Sequence, residues 1–220
     1  NGHIVSPFKL VTSLAEKFIG DGGKIVRDAV HSLAVEDSTV NAVHAETQTF
    51  TPSHLVVAAG AWSAALAIQL GDKVPLESQR GYHLELTEPH IMPKIGLQSV
   101  ERKFTMTPME GRLRLAGTAE FAGINAEPDY QRADVLFDHA KKLLPGITRS
   151  DDRRWMGHRP CIPDSLPVIG PAKHVTNVHY AFGHGHTGMS GSPMTGKLIS
   201  DMIAERSLSI DATPFLLSRF

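Results

Sequence analysis

The chain has 220 residues, 22 Lys and Arg against 23 Asp and Glu, and a single cysteine. That length allows one large or two small domains, and 41% apolar with 20% charged residues supports a packed core over disorder. The near-neutral charge argues against nonspecific nucleic-acid binding, and no polybasic run points to an anionic membrane surface. No apolar run approaches the ~20 residues of a membrane span. Cys161, having no second thiol, fits a reducing, cytoplasmic setting, with a peripheral place at the inner membrane as the alternative.

The chain opens Asn1-Gly2-His3-Ile4-Val5-Ser6-Pro7, with neither an initiator methionine nor a signal peptide, and reads as the middle of a longer protein. A processed N-terminus of a complete protein is the alternative. Ser6 suits a helix cap and Pro7 the first helical position. Phe8, Val11, Leu14, Ala15 and Phe18 then recur at three- and four-residue spacing, which predicts a buried stripe, and Gly20, Gly22 and Gly23 end the helix. Lys24 to Arg27, His31 to Glu36 and Val40 to Ala45 read as strands. The apolar run Leu55 to Gly60 reads as a strand buried on both faces, followed by a short helix over Ala61 to Leu70. Tyr82 to Leu86, Lys103 to Thr107 and Arg112 to Gly117 alternate as antiparallel strands with one wet face do. Asp129 to Leu144 reads as an amphipathic helix stopped by Pro145-Gly146. Val178 to Phe182 reads as a strand, then a Gly-rich turn, then a helix to about Ala204 with Ser192 and Pro193 at its cap and first position.

The expected fold class is therefore α/β plus α+β. Residues 1–71 and 154–220 form one layered α/β domain, and residues 72–153 form an inserted antiparallel domain, because the last block alone is too small for a good core.

Three stretches carry chemistry. Gly183-His184-Gly185-His186-Thr187-Gly188 lies between a strand and a helix, where backbone N–H groups and partial positive charge face an anion or an electron-rich ring edge. Its place late in the chain argues against a Rossmann pyrophosphate loop. His184 and His186 have no nearby Cys, Asp or Glu to complete a site, so no metal is expected. Gly157-His158-Arg159-Pro160 reads as a loop offering a guanidinium fork to a carboxylate; a structural ion pair is the competing reading. Arg80-Gly81-Tyr82-His83 stands where the chain passes into the middle block, a place that favours ligand pockets; an ordinary strand start is the alternative. No G-x-S-x-G elbow supports a nucleophilic serine.

Taken in order, these stretches resemble the D-amino-acid dehydrogenase branch of the FAD-dependent oxidoreductases that includes D-amino-acid oxidase and glycine oxidase. Leu55 to Ser63 is similar to that family's strand-and-glycine signature near FAD, Gly157 to Pro160 to its G-x-R-P element, and Gly183 to Gly188 to the segment over the flavin's pyrimidine edge. The resemblance implies an incomplete FAD-binding α/β domain with an inserted antiparallel-sheet substrate domain. It implies oxidation of a D-amino acid or a related amine or imino acid by hydride transfer to FAD. Arg159 would hold the substrate carboxylate, with Tyr82, His83 and His184 lining the pocket. Val30, Ala59, Gly60, Trp62 and the six residues Gly183, His184, Gly185, His186, Thr187 and Gly188 would contact the cofactor. The family's opening strand, G-x-G-x-x-G and helix are not at the start of this chain. The isolated chain is therefore expected to bind FAD poorly and to be colourless, with a missing N-terminal half or a partner chain supplying that motif. A non-catalytic subunit or binding module of the same fold is the alternative function.

Overall fold

The computed structural model describes residues 4–149 and 151–220, so Asn1 to His3 of the opening stretch lie outside the described residues. In chain order the elements are α1 (Pro7–Gly20), β1 (Val30–Glu36), β2 (Thr39–Ala45), β3 (Thr49–Phe50), β4 (Leu55–Val57), α2 (Ser63–Gln69), β5 (Glu77–Thr87), β6 (Leu97–Ser99), β7 (Phe104–Met109), β8 (Arg112–Ala116), β9 (Glu120–Phe121), α3 (Gln131–Leu143), β10 (Asp151–Cys161), β11 (Val168–Pro171), β12 (Val178–Phe182) and α4 (Gly188–Ile203). Short 3₁₀ turns precede α2 and close the chain. Two compact units result. Unit 1 takes Asn1–Arg27, Arg80–Glu120 and Asn125–Gly157; unit 2 takes Asp28–Gln79, Phe121–Ile124 and His158–Phe220. No helix among the described residues is long and apolar enough to cross a membrane.

Unit 1 is organised by a sheet of order β10-β5-β8-β7-β6, with β9 also paired to β5. The alternation read from the sequence sets its two faces. Tyr82, Leu84 and Leu86 of β5, Leu113 and Leu115 of β8, and Phe104 and Met106 of β7 are buried against Ala133, Leu136 and Ala140 of α3. Each such large side chain contributes about 1.5–3 kcal/mol. The intervening His83, Glu85, Arg112 and Arg114 take the opposite face, in the antiparallel register Glu85↔Arg114 and Thr87↔Arg112.

The stripe of α1 departs from expectation. Ser6 Oγ does accept the Lys9 N–H at 3.3 Å, with Pro7 in the first turn, yet no residue of α1 is buried. Phe8 is 80% exposed, and Val11, Leu14 and Phe18 are exposed too. The periodicity gave an amphipathic helix correctly, but nothing among the described residues packs over its apolar side. Lys24 to Arg27 likewise forms no strand, because no neighbouring strand pairs with it.

In unit 2, β1, β2 and β3 form one antiparallel sheet, and β11, β12 and β4 form another, in which β12 runs parallel to β4. The Asn177 amide joins them: its Oδ1 accepts the Val40 N–H and its Nδ2 donates to the Val40 carbonyl, both at 2.9 Å. The core gathers Val40, Val57, Ala67, Val168, Val178 and Tyr180. The Tyr180 hydroxyl donates to Asp72 at 2.7 Å. The β4 strand is not buried on both faces as expected. It is an edge strand, and Val56 is exposed.

Two further expectations change. Arg159 lies within strand β10, not in a loop. And α4 begins at Gly188, so Pro193 sits inside the helix. The proline removes the N–H that Met189's carbonyl would accept, and Ser192 Oγ donates to that carbonyl instead, at 3.2 Å. This is how the helix tolerates it.

Candidate active site

The site in unit 2 is built where β12 hands over to α4. Gly183 and Gly185 have φ of +84° and +51°, in the left-handed region that favours glycine. A Cβ on Gly183 would stand 2.7 Å from Ile162 Cγ1, so backbone and neighbour pack with no room for a side chain. The turn is tied to β10: Gly185 N–H donates to the Pro160 carbonyl at 2.8 Å, and Cys161 bridges His184. Cys161, Ile162 and Ser165 with residues 183–187 enclose a recess of about 270 Å³. Directly after Thr187, α4 starts with no side-chain cap and no acidic residue in its first turn. Its first N–H groups and the helix dipole are thus left for an anionic or electron-rich group.

Gly183, Gly185 and Gly188 fall at G-x-G-x-x-G spacing between a strand and a helix. No strand follows α4 among the described residues, however, so the turn opens no βαβ unit, the setting a pyrophosphate loop requires.

The histidines here are neutral at pH 7. Burial lowers the pKa of His184, and burial followed by the Arg159 charge lowers that of His186. Thr195 Oγ1 spends its hydrogen on the Gly191 carbonyl at 3.0 Å, so at 2.8 Å it accepts from His184 Nε2–H. His186 Nε2 pairs with Gln79 Oε1 at 2.7 Å. The two rings are held by different partners, and among the described residues no three His, Cys, Asp or Glu side chains gather to hold a metal. Arg159 is half-buried; burial lowers its pKa, and the Cys161 sulfur works the other way. Burial in turn raises Cys161, offset by Arg159. The Arg159 charge is thus felt both by Cys161 and by His186. His158, beside them in sequence, bonds Ser78 Oγ at 2.7 Å and meets the edge of Trp62 at 5.2 Å.

A second recess in unit 2, of about 600 Å³, is open and mostly apolar. Val30, Ala59 and Trp62 line it together, with Val56 and Leu66; Gly60 (φ +57°) follows Ala59 in sequence but is not itself part of the lining. Asp28 stands at its rim. Its carboxylate accepts from Thr47 Oγ1 at 2.6 Å, and its pKa is lowered chiefly by that bond. Sequence reading missed Asp28, Gln79 and Thr195, each of which acts through a partner far away in sequence.

Tyr82 and His83 belong to unit 1 and are not in either recess. Tyr82 is 1% exposed, its hydroxyl donating to Glu120 at 2.7 Å and accepting the Asp129 N–H at 3.0 Å. His83 points to the other face, stacked on Trp155 with ring centroids 4.9 Å apart. Its pKa is pushed down to about 4, first by burial and then by Arg114, against the pull of Glu85.

The donor set fits a flavin. The turn is shaped by absent Cβ atoms, the helix start is uncapped, and the open recess is lined mostly by aliphatic side chains with Trp62 among them. Comparison with known proteins agrees. Residues 1–202 match the model of the FAD dependent oxidoreductase family. The chain is 37% identical to a D-amino-acid oxidase of Bradyrhizobium diazoefficiens over 100% of its own length and 53% of that protein's. It is 32% identical to a D-amino acid dehydrogenase of Allorhizobium ampelinum, over 97% and 51%. It thus spans about half the length of these relatives. Its backbone matches glycine oxidase from Geobacillus kaustophilus with a TM-score of 0.86 and 24% identity, over 96% of this chain and 57% of that one. This chain belongs to the FAD dependent oxidoreductase family.

Proposed function

We propose that this chain contributes the flavin-ring and substrate-carboxylate side of an enzyme that oxidises the C–N bond of a D-amino acid or a related imino acid. In this reading residues 1–71 and 154–220 belong to the FAD-binding domain and residues 72–153 to the substrate domain, and the enzyme works in the cytoplasm. The observation that carries it is the glycine turn 183–188 next to the uncapped start of α4, near enough to Arg159 that its charge helps to lower the pKa of His186.

Arg159 pairs with the substrate carboxylate through its planar fork, an interaction worth about 1.5–3 kcal/mol. The N–H groups at residues 188–190 would hold the electron-rich edge of the ring and favour negative charge there. His184 and His186 hold the turn's shape as neutral hydrogen-bonding groups. Val30, Ala59, Gly60 and Trp62 give the cofactor an apolar wall. Bound flavin supplies the two-electron acceptor. Of the unit 1 pair, we assign His83 to the substrate side and give the buried Tyr82 a positioning role through Glu120. The dinucleotide motif comes from a further segment or a partner chain, so these residues alone bind FAD weakly.

The test is turnover of the flavin-loaded protein with a panel of D-amino acids and cyclic imino acids, followed by dye reduction. Turnover with at least one, and none with the matching carboxamides, supports the reading. A flavin-loaded protein that reduces no dye with any of them overturns it and leaves a non-catalytic flavin module.

A further inference from the structure

Unit 1 carries a charged recess that the flavin reading does not use. It measures about 390 Å³ and is lined by Arg112, Arg114, Arg153, Glu85, Glu110 and the turn Val5 to Phe8, which places it in the size range of small-ligand pockets, roughly 300–1,000 Å³. We propose that this recess is a binding site for a small carboxylate.

The charge balance carries the argument. Arg112 and Arg114 are two apart on β8 and so project from one face of the sheet. Both turn to one carboxylate: Glu85 accepts from Arg112 Nη1 at 3.2 Å and from Arg114 Nε and Nη2 at 3.2 and 3.1 Å. Burial opposes ionisation of Glu85, yet the bonds from these two arginines hold its pKa below the usual value. Glu85 is therefore already committed as an anion. Glu110 is committed as well, to Lys9 Nζ at 2.7 Å. Arg153 has no carboxylate partner among the described residues. Three guanidinium groups thus share a recess whose two carboxylates are both in use. An isolated surface arginine needs no explanation, but here the surplus positive charge lines a concave wall next to a fixed Arg pair. A planar carboxylate matches that set better than a spherical ion, because each guanidinium presents a fork of donors. The start of α1 forms part of the wall and adds partial positive charge, a secondary contribution. Two sources share this chemistry: the side-chain carboxylate of an acidic amino acid, and a free dicarboxylate.

This site is independent of the flavin reading, and its test needs no flavin. Glutarate is titrated into the purified chain by isothermal calorimetry at low salt, with glutaramide as the neutral isostere. Saturable binding of glutarate that weakens with added NaCl is expected, with none of glutaramide. Arg153→Gln should weaken glutarate about tenfold, the worth of one charged hydrogen bond, and Arg153→Lys should recover part of it. Arg112→Gln, with its fold checked by circular dichroism, should weaken it as well. D-Glutamate binding tighter than glutarate assigns the site to an acidic amino acid, and equal or weaker binding to a free dicarboxylate. No saturable glutarate binding overturns the proposal, as does an Arg153→Gln protein that binds like the parent.

Discussion

The two units dispose of their apolar and polar surface differently. In unit 1 the sheet buries a continuous apolar face against α3, together with charges that are paired only in part. Arg80, fully buried, lies 3.3 Å from Glu120 while its Nη1 and Nη2 have no hydrogen-bond partner; Glu120 also holds Arg132 Nε at 3.0 Å and the Tyr82 hydroxyl at 2.7 Å. In unit 2 the polar groups near the glycine turn are only half-buried, the start of α4 is uncapped, and a large apolar recess stands open beside β4. Open donors and uncovered apolar walls cost stability unless something binds them. The contrast makes the unit 1 sheet the place to test stability and unit 2 the place to test the proposed cofactor contact.

Substitutions can break that contrast. The largest effect is expected from Leu115→Ala, at a fully buried position between the unit 1 sheet and α3: a loss of about 2–5 kcal/mol, read by urea unfolding. A loss below about 1 kcal/mol would mean that this face is loosely packed. Next is Gly183→Ala. The left-handed φ and the 2.7 Å approach to Ile162 should cost about 1–3 kcal/mol and weaken flavin binding, measured by quenching of FAD fluorescence in a titration. A variant with the parent's stability and the parent's FAD affinity would contradict the cradle.

The smallest effect is on pH dependence. Burial keeps His83 neutral down to about 4, against 6.5 for the free side chain. Between those values the unfolded chain binds the extra proton, so stability is complete above pH 6.5 and is lost as the pH falls toward 4. With the partly solvated ring discounted, His83→Gln should remove about 1 kcal/mol of that acid loss, roughly 2–4 °C in Tm. Melting curves at pH 7 and pH 4.5 check this. Equal acid loss in both proteins would show that Trp155 and Arg114 do not hold the ring neutral.

Local chemistry was legible in the sequence wherever it depended on near neighbours. Ser6 and Pro7 cap α1, the alternation of residues 82–86 and 112–116 sorts the two faces of the sheet, and residues 178–188 form strand, turn and helix. What depended on distant partners was not. Strand β10 was hidden because Asp151 to Arg154 are charged and Gly157 and Pro160 look like loop residues; it is held by pairing with β5. The stripe on α1 told which side is apolar but not whether anything covers it. Pro193 read as a helix start because the Ser192 bond that rescues it cannot be seen in composition. In the candidate site, the glycines announced themselves, whereas the Thr195 and Gln79 partners of the histidines lie 11 and 107 residues away.

The central claim is that Arg159 holds the substrate carboxylate beside a flavin carried by unit 2. It is tested most directly by steady-state kinetics of Arg159→Gln in the flavin-loaded protein, on the best D-amino acid found. The account predicts a KM raised about 10- to 100-fold, the loss of a charged bidentate pair, with unchanged flavin absorbance and partial recovery in Arg159→Lys. An Arg159→Gln protein with the parent's KM and kcat would contradict it.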